Sequence, residues 1–195
     1  MVKKLVVLFF LMCILYPTLS FSQMKKMEAN EKREPATKIE QFLSKKGRLY
    51  LKDFFNAGTV SGNHATSISV KALIIYEPGK DAQKIRGLKI EVYESGGRLE
   101  KSNSSFLDID EAESLSKAIE YMINLIDKFK NSYREYTEVI FSTKGEFEVG
   151  FYQKDSAFTA FVSSGYISKV TCFLPVESLL QLKSVIDDGL SMAKK

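Results

Sequence analysis

Side chains that commonly act as nucleophiles or proton carriers are scarce in this sequence. Its 195 residues include one histidine, His64, and two cysteines, Cys13 and Cys172. A cysteine beside a histidine can form a nucleophilic pair. Cys172, however, alternates with Val170 and Leu174 in a strand-like segment, so we expect it to point into the core as a small apolar residue. We therefore predict no cysteine–histidine dyad, and a single histidine rules out a histidine-rich metal site.

Four carboxylates stand close together at Asp108, Asp110, Glu111 and Glu113. Such a group can bind calcium or supply a paired acid and base. The segment lacks the glycine and the spacing of a calcium loop. An aspartate followed three residues later by a glutamate is typical of a helix N-terminus. We predict that these residues cap a helix and hold no metal.

Common catalytic motifs are absent from the sequence. The pair Gly96-Gly97 is not followed by the lysine and serine of a phosphate-binding loop. The Gly-x-Ser-x-Gly turn of serine hydrolases does not occur. We predict that the protein is not an enzyme and that it carries no cofactor.

Tyrosines and lysines that alternate with apolar residues are the candidate binding residues: Tyr50, Tyr93, Tyr152, Lys52 and Lys89. If the apolar residues point inward, these side chains point outward, where aromatic rings among cations can stack on bases, sugars or another protein. The alternative is that they shield a sheet edge or lie beneath a helix.

The N-terminus has the three parts of a secretory signal peptide. Lys3 and Lys4 precede twelve uncharged residues, 5–16, and small residues follow a proline. We predict a signal peptide at residues 1–22, cleaved between Ser22 and Gln23. The apolar run is shorter than the roughly 20 residues of a membrane-spanning helix. We therefore expect no stable membrane span after cleavage, and a retained anchor is the alternative.

Export places the protein in the periplasm or outside the cell. Cys13 follows Met12 rather than a small residue, so we do not expect it to carry a lipid. Cleavage would leave 26 basic and 24 acidic residues, a net charge of +2. Because no window of the chain is strongly basic, this composition disfavours nucleic acid as a partner. Residues 23–37 are highly charged, and we predict a disordered tether there.

The remaining chain, 38–195, reads as one α+β domain. A short helix is expected at 38–45. Strands are expected at 48–55, where Leu49 and Leu51 should face inward, and at 66–76, 84–94 and 98–107. A second set is expected at 135–142, 146–152, 157–163 and 169–174.

A long helix follows each set of four strands. Asp108 caps the first helix, which ends near Asn131, and Pro175 opens the second. The segment 106–115 also resembles 173–179, since Phe-Leu precedes each helix and Glu-Ser-Leu lies near each start. We predict two repeats of four antiparallel strands and a helix, at about 48–131 and 134–194. A β-barrel with flanking helices is the alternative.

This order of elements resembles the whirly-type fold of single-stranded nucleic-acid-binding proteins, including the purine-rich-element-binding family. The residue pattern of the likeness lies in 106–115, Phe-Leu-Asp-Ile-Asp-Glu-Ala-Glu-Ser-Leu. The resemblance implies a doubled sheet-and-helix fold and single-stranded nucleic-acid binding. The Ser-Phe-Ser-Gln run at 20–23 is similar to the signal-peptide ends of exported proteins from Bacteroidetes-type bacteria.

We expect an exported, non-enzymatic binding or interaction protein, with a protein or small ligand of the cell envelope as its partner. Single-stranded nucleic-acid binding and an envelope enzyme are the alternatives. One fold hosts many functions, so the likeness in fold does not decide among them.

Overall fold

The computed structural model describes residues 34–95 and 100–195. The predicted signal peptide, the cleavage site between Ser22 and Gln23, most of the tether and the Gly96-Gly97 turn lie outside the described residues. The elements, in chain order, are helix α1 (Lys38–Ser44), strands β1 (Leu51–Ser61), β2 (Thr66–Tyr76), β3 (Ile85–Glu94) and β4 (Lys101–Asp108), helix α2 (Ile109–Phe129), strands β5 (Arg134–Ser142), β6 (Phe147–Asp155), β7 (Ala157–Ser164) and β8 (Val170–Leu174), and helix α3 (Ser178–Lys194). A short 3-10 turn, Asp81–Gln83, lies between β2 and β3.

The strands form two antiparallel sheets of four. Sheet A has the order β1-β2-β3-β4, and sheet B has the order β5-β6-β7-β8. Each sheet is open and each is followed by a helix, which confirms the predicted repeats. The alternative of a closed barrel was wrong.

One core joins the two sheets and the two long helices. Alternate residues of the strands point into it, among them Ile68, Leu88, Phe147 and Val162, which are all fully buried. Helix α3 packs on sheet A, since a Cβ atom at Gly189 would lie 3.0 Å from Leu88 Cδ2. Neither repeat therefore encloses a core of its own, because the last helix of the chain covers the first sheet.

Helix α2 carries the apolar stripe that the sequence predicts, and it reaches both sheets. It follows β4 of sheet A directly. At its C-terminal end, the ring centroid of Phe129 lies 6.4 Å from that of Phe151 in sheet B. The predicted cap is confirmed, because Asp108 and Glu111 form a capping box at its start.

Helix α1 lies on the other side of sheet A and forms a second, smaller core there. Ile39 packs on Leu73 and Ile75, which are odd-numbered residues of β2 and so point away from the main core. Thr37, where the predicted tether ends, caps α1 and is fully buried.

Strand β1 is where the predicted burial is wrong. Leu49 is 77% exposed and Leu51 is 38% exposed, although both were expected to face inward. Helix α3 contacts this strand near Ala57 and Gly58, which lie beside Gly189 and Val185, whereas Leu51 and Phe55 lie outside the main core. The first half of β1 therefore extends beyond the main core.

None of the helices formed by residues 34–95 and 100–195 combines the length and the apolar character that a bilayer crossing requires.

Candidate binding surfaces on the two sheets

Four of the five predicted binding residues lie on the outer face of sheet A. In antiparallel pairing, directly opposed residues point to the same face. Lys71 lies opposite Lys89, and their neighbours in the same row are Asn56 and Phe106. Serine and tyrosine side chains continue this face along the strands. We call it the serine–lysine face: Ser67, Ser69, Lys71, Lys89, Tyr93, Ser102 and Ser104.

Tyr50 and Lys52 lie at the end of sheet A that α1 covers. The Tyr50 ring packs edge to face on Phe42 of α1, with centroids 5.8 Å apart. Lys52 Nζ lies 5.5 Å from the centroid of the Tyr50 ring. Tyr50 is therefore partly covered by a helix, which is the alternative that the sequence left open.

Lys89 and Tyr93 each interact with a carboxylate. Lys89 Nζ donates to Glu91 Oε2 at 3.0 Å. Tyr93 hydrogen-bonds to Glu100, and that bond raises the pKa of the phenol above its ordinary value of 10.0. Lys71, which sequence reasoning did not single out, lies directly across from Lys89. Like charges placed opposite each other destabilise a sheet, and the Glu91 carboxylate beside Lys89 offsets part of that cost.

Tyr152, the fifth predicted residue, lies on the outer face of sheet B. Its ring stacks on that of Tyr136, with centroids 5.9 Å apart and planes inclined by 25°. Tyr136 is 57% exposed. Partial burial, followed by the nearby Glu138 carboxylate, raises the pKa of Tyr136.

An apolar row runs across sheet B beside the tyrosine pair. Ile140 lies opposite Gly150, Gly150 opposite Phe161, and Phe161 opposite Phe173. A Cβ atom at Gly150 would lie 2.7 Å from Phe161 Cζ, so the ring of Phe161 covers the glycine. Ile140 and Phe173 at the two ends of the row are 49% and 43% exposed. We call the two tyrosines and the apolar row the aromatic face: Tyr136, Ile140, Tyr152, Phe161 and Phe173.

Polar side chains border the apolar row on both sides. On one side, Glu138 and Thr159 lie opposite Tyr152 on its two neighbouring strands. On the other side, Lys169 Nζ lies 2.5 Å from Glu148 Oε2. Ser163 Oγ and Thr171 Oγ1 are 2.9 Å apart in the same border.

The sequence could not identify the aromatic face, because both faces of β5 carry apolar residues. Tyr136 and Ile140 alternate with Val139 and Phe141, and only the structure shows that the latter two pack on the core. The single usable signal was Tyr152 between the buried Phe151 and Gln153.

Cys172 is fully buried, as predicted, whereas His64 is exposed in the turn between β1 and β2. Thr66 Oγ1 lies 2.9 Å from Cys172 Sγ. Burial raises the pKa of the Cys172 thiol. This environment holds the thiol in its unreactive, protonated form.

The acidic cluster joins separate parts of the fold. Asp108 accepts hydrogen bonds from the backbone amides of Lys38, at 2.8 Å, and Ile39, at 3.3 Å. Glu111 accepts from the Lys144 amide at 2.6 Å. Glu113 pairs with Lys194 at 2.7 Å. The two most buried carboxylates thus bind backbone amides outside α2, in addition to forming the capping box that the sequence predicts.

An open cleft of about 500 Å³ lies beside this cluster, between the starts of α1, β3 and α2. Lys38, Lys84 and Arg86 face Asp108, Asp110 and Glu113 across it. Arg86 Nη1 donates to the carbonyl of Ala193 at 2.7 Å. Its cations and carboxylates are balanced and partly bonded to the protein, so the cleft has no excess charge to attract an ion. Within the described part of the chain, no three His, Cys, Asp or Glu residues are grouped as a metal site requires.

Comparisons with protein-family models, curated proteins and solved structures found no match to this chain.

Proposed function

We propose that this protein is an exported, non-enzymatic binding protein that recognises a partner protein through the aromatic face of sheet B. The observation that carries the proposal is the exposure of Ile140 and Phe173, at the two ends of the apolar row, beside the stacked Tyr136–Tyr152 pair. The proposal of export rests on the N-terminal sequence pattern alone.

A partner protein fits this face better than a small molecule does. Small ligands bind in concave sites that cover most of their surface, whereas the aromatic face is one side of an open sheet. Its apolar centre has polar borders, which is the usual anatomy of a protein interface. Tyrosine is also among the residues that contribute most to binding energy in such interfaces.

The decisive experiment is site-specific photo-crosslinking in the exported protein. A photoreactive phenylalanine analogue at Ile140 should give a discrete adduct with one envelope or secreted protein. The same analogue at Ser102, an exposed residue on the outer face of sheet A, is the matched control. Equal adducts at both positions, or none at Ile140, would contradict the proposal.

Variants of the tyrosine pair test the same contact independently. Tyr152→Ala should abolish the Ile140 adduct, because it removes half of the stacked pair, while Tyr152→Phe should keep it. Tyr93→Ala removes a tyrosine from the other sheet and should leave the adduct unchanged. Circular dichroism should show that all three variants fold.

Export is tested by the N-terminus of the protein recovered from the cell envelope or medium. Mass spectrometry should find that the chain begins at Gln23. A protein that begins at Met1 in the cytoplasm would remove the basis for an envelope partner.

Single-stranded nucleic-acid binding is a second candidate, favoured by the Lys71–Lys89 pair on the serine–lysine face. Two lysines directly opposite each other on one face concentrate positive charge, which attracts the phosphates of a nucleic acid. Fluorescence anisotropy with a labelled oligonucleotide should then show affinity that falls steeply with salt. Lys71→Gln should weaken that binding and Lys154→Gln, on sheet B, should not. Absence of binding at low salt would exclude this function.

A further inference from the structure

The β1 edge of sheet A is a second exposed apolar surface of this protein. Strand β1 is the outermost strand of its sheet, and no described strand pairs with its other side. Four large apolar residues lie within seven positions there, and Phe54 and Phe55 are 46% and 47% exposed. Phe54 points to the outer face and Phe55 to the core face, as their partners Leu73 and Ala72 show. The strand is therefore apolar on both sides as well as unpaired.

The edge strands β4 and β8 each contact another segment of the chain. On β4, the Asn103 side-chain amide donates to the carbonyls of Ile167 and Ser168, at 3.2 and 3.3 Å. On β8, the carbonyl of Phe173 accepts from the Asn63 amide at 2.8 Å. An open edge strand with exposed apolar side chains tends to pair with another strand.

We propose that β1 pairs antiparallel with β1 of a second copy of this chain, with Phe54 at the two-fold axis. The regular part of the strand ends at Asn56, because a bulge interrupts the pairing between Asn56 and Gly58. Only residues of the same face can lie opposite each other across the axis. This restriction leaves few registers to compare.

Charge and the start of β1 select one register among them. An axis at Leu51 would place β1 opposite residues 46–50, which precede the strand. An axis at Lys52 or at Asp53 would place two like charges directly opposite each other, which is destabilising. An axis at Phe55 would place the bulged Ala57 opposite Asp53. An axis at Phe54 places Phe54 against itself, Asp53 against Phe55 and Lys52 against Asn56. It joins apolar surface on both faces and opposes no like charges.

Disulfide trapping tests the contact and its register together. Directly opposed Cα atoms lie about 4.5–5.5 Å apart, within the range of a disulfide. Phe54→Cys should therefore form a covalent dimer under mild oxidation. Lys52→Cys alone should not, because its copies would lie four residues apart, about 13 Å along the strands. A mixture of Lys52→Cys and Asn56→Cys should cross-link, although each alone should not. The chain from Gln23 serves for these measurements, since its own Cys172 is buried.

Sedimentation velocity gives a second test, because it measures how the dissociation constant of the dimer changes with the charge at the contact. Phe55→Glu places a carboxylate against Asp53 of the second copy at two symmetric positions. It should weaken the dimer about tenfold more than Phe55→Lys, which loses the same ring but meets an opposite charge. Adding Asp53→Lys to Phe55→Glu should restore association.

Three results would overturn the inference. They are a monomer at all concentrations, equal cross-linking of Phe54→Cys and Lys52→Cys, and equal effects of Phe55→Glu and Phe55→Lys. Deletion of residues 23–34 tests whether the N-terminal segment of the same chain occupies the β1 edge instead of a second copy. If only the shortened chain dimerises, the edge belongs to the N-terminal segment of the same chain, and the proposal is wrong.

Discussion

Glu111 is a buried carboxyl group whose ionisation opposes folding. Its side chain is 9% exposed, and burial raises its pKa above the ordinary 4.5 although two backbone amides, of Lys144 and Asp108, donate to it. An acid with a raised folded-state pKa contributes stability that is fully present below its unfolded pKa. That contribution is lost as the pH rises through the folded-state pKa.

Replacing Glu111 with glutamine should remove the part of the pH dependence of stability that Glu111 causes. Glutamine carries no charge, and its single carbonyl oxygen keeps one of the two acceptor bonds, a loss that does not vary with pH. The free energy of unfolding of the natural protein, minus that of Glu111→Gln, should therefore fall as the pH rises above 4.5. Urea denaturation over a pH series measures it.

Glu113→Gln is the matched control, with the opposite sign. The hydrogen bond from Lys194 lowers the pKa of Glu113, so its contribution is present above the ordinary pKa and lost as the pH falls. The same slope in both variants would contradict this assignment.

Cys172 offers a direct probe of the core, because it is the one cysteine of the chain after residue 22. Its thiol is fully buried beside Thr66, and burial raises its pKa. We expect a thiol reagent to label the native protein about a thousandfold more slowly than the urea-unfolded protein. Comparable rates would show that the thiol is accessible.

Among the elements, α1 depends most on one distant side chain. It has seven residues, too few for a helix that is stable alone. Asp108, which starts α2, accepts from the Lys38 and Ile39 amides of α1, and Ile39 closes the small core on sheet A. One carboxylate thus links the starts of two helices.

Asp108→Ala should therefore destabilise two helices at once. We expect a loss of about 2 kcal/mol in the free energy of unfolding, since buried amides lose their acceptor. Hydrogen exchange should also speed up at the amides of 38–41. Asp110→Ala, at an exposed neighbouring position, should cost much less and leave α1 protected. Equal losses in both variants would argue against a special role for Asp108.

For the whole molecule, the shared core leads us to expect that the two repeats fold together. Helix α3 of the second repeat covers sheet A of the first, with Gly189 close to Leu88. Ser105 and Ser164 also meet across the sheets, with their hydroxyl oxygens 2.8 Å apart. Separation of the halves would expose the apolar face of sheet A.

Fragments 35–131 and 132–195 should each fail to fold alone and should form native structure when mixed. Proton NMR and cooperative urea unfolding would measure this. A first fragment that unfolds cooperatively without the second would show that α3 is not required for sheet A.

The sequence predicted local structure well where burial acts on one face of one element. Alternation identified the strands β2 and β3, and the apolar stripe and the cap at Asp108 identified helix α2. Each of these patterns depends on residues that are neighbours in the chain. The prediction failed at Leu49 and Leu51, where alternation was present but the side chains lie outside the buried core. Alternation shows which residues share a face, and burial of that face requires a partner.

The sequence by itself determined the two sets of four strands, the two long helices and the placement of Cys172 in the core. Only the tertiary structure decided that α3 covers the sheet of the other repeat, that Lys71 lies opposite Lys89, and that Asp108 holds a helix 69 and 70 residues earlier. It also divided the five candidate residues between the two sheets. Of these five, Tyr152 belongs to the aromatic face, and the other four lie on sheet A. The reason is physical: periodicity is set within a segment, whereas register and helix placement depend on which apolar faces meet, and several faces in this chain are alike.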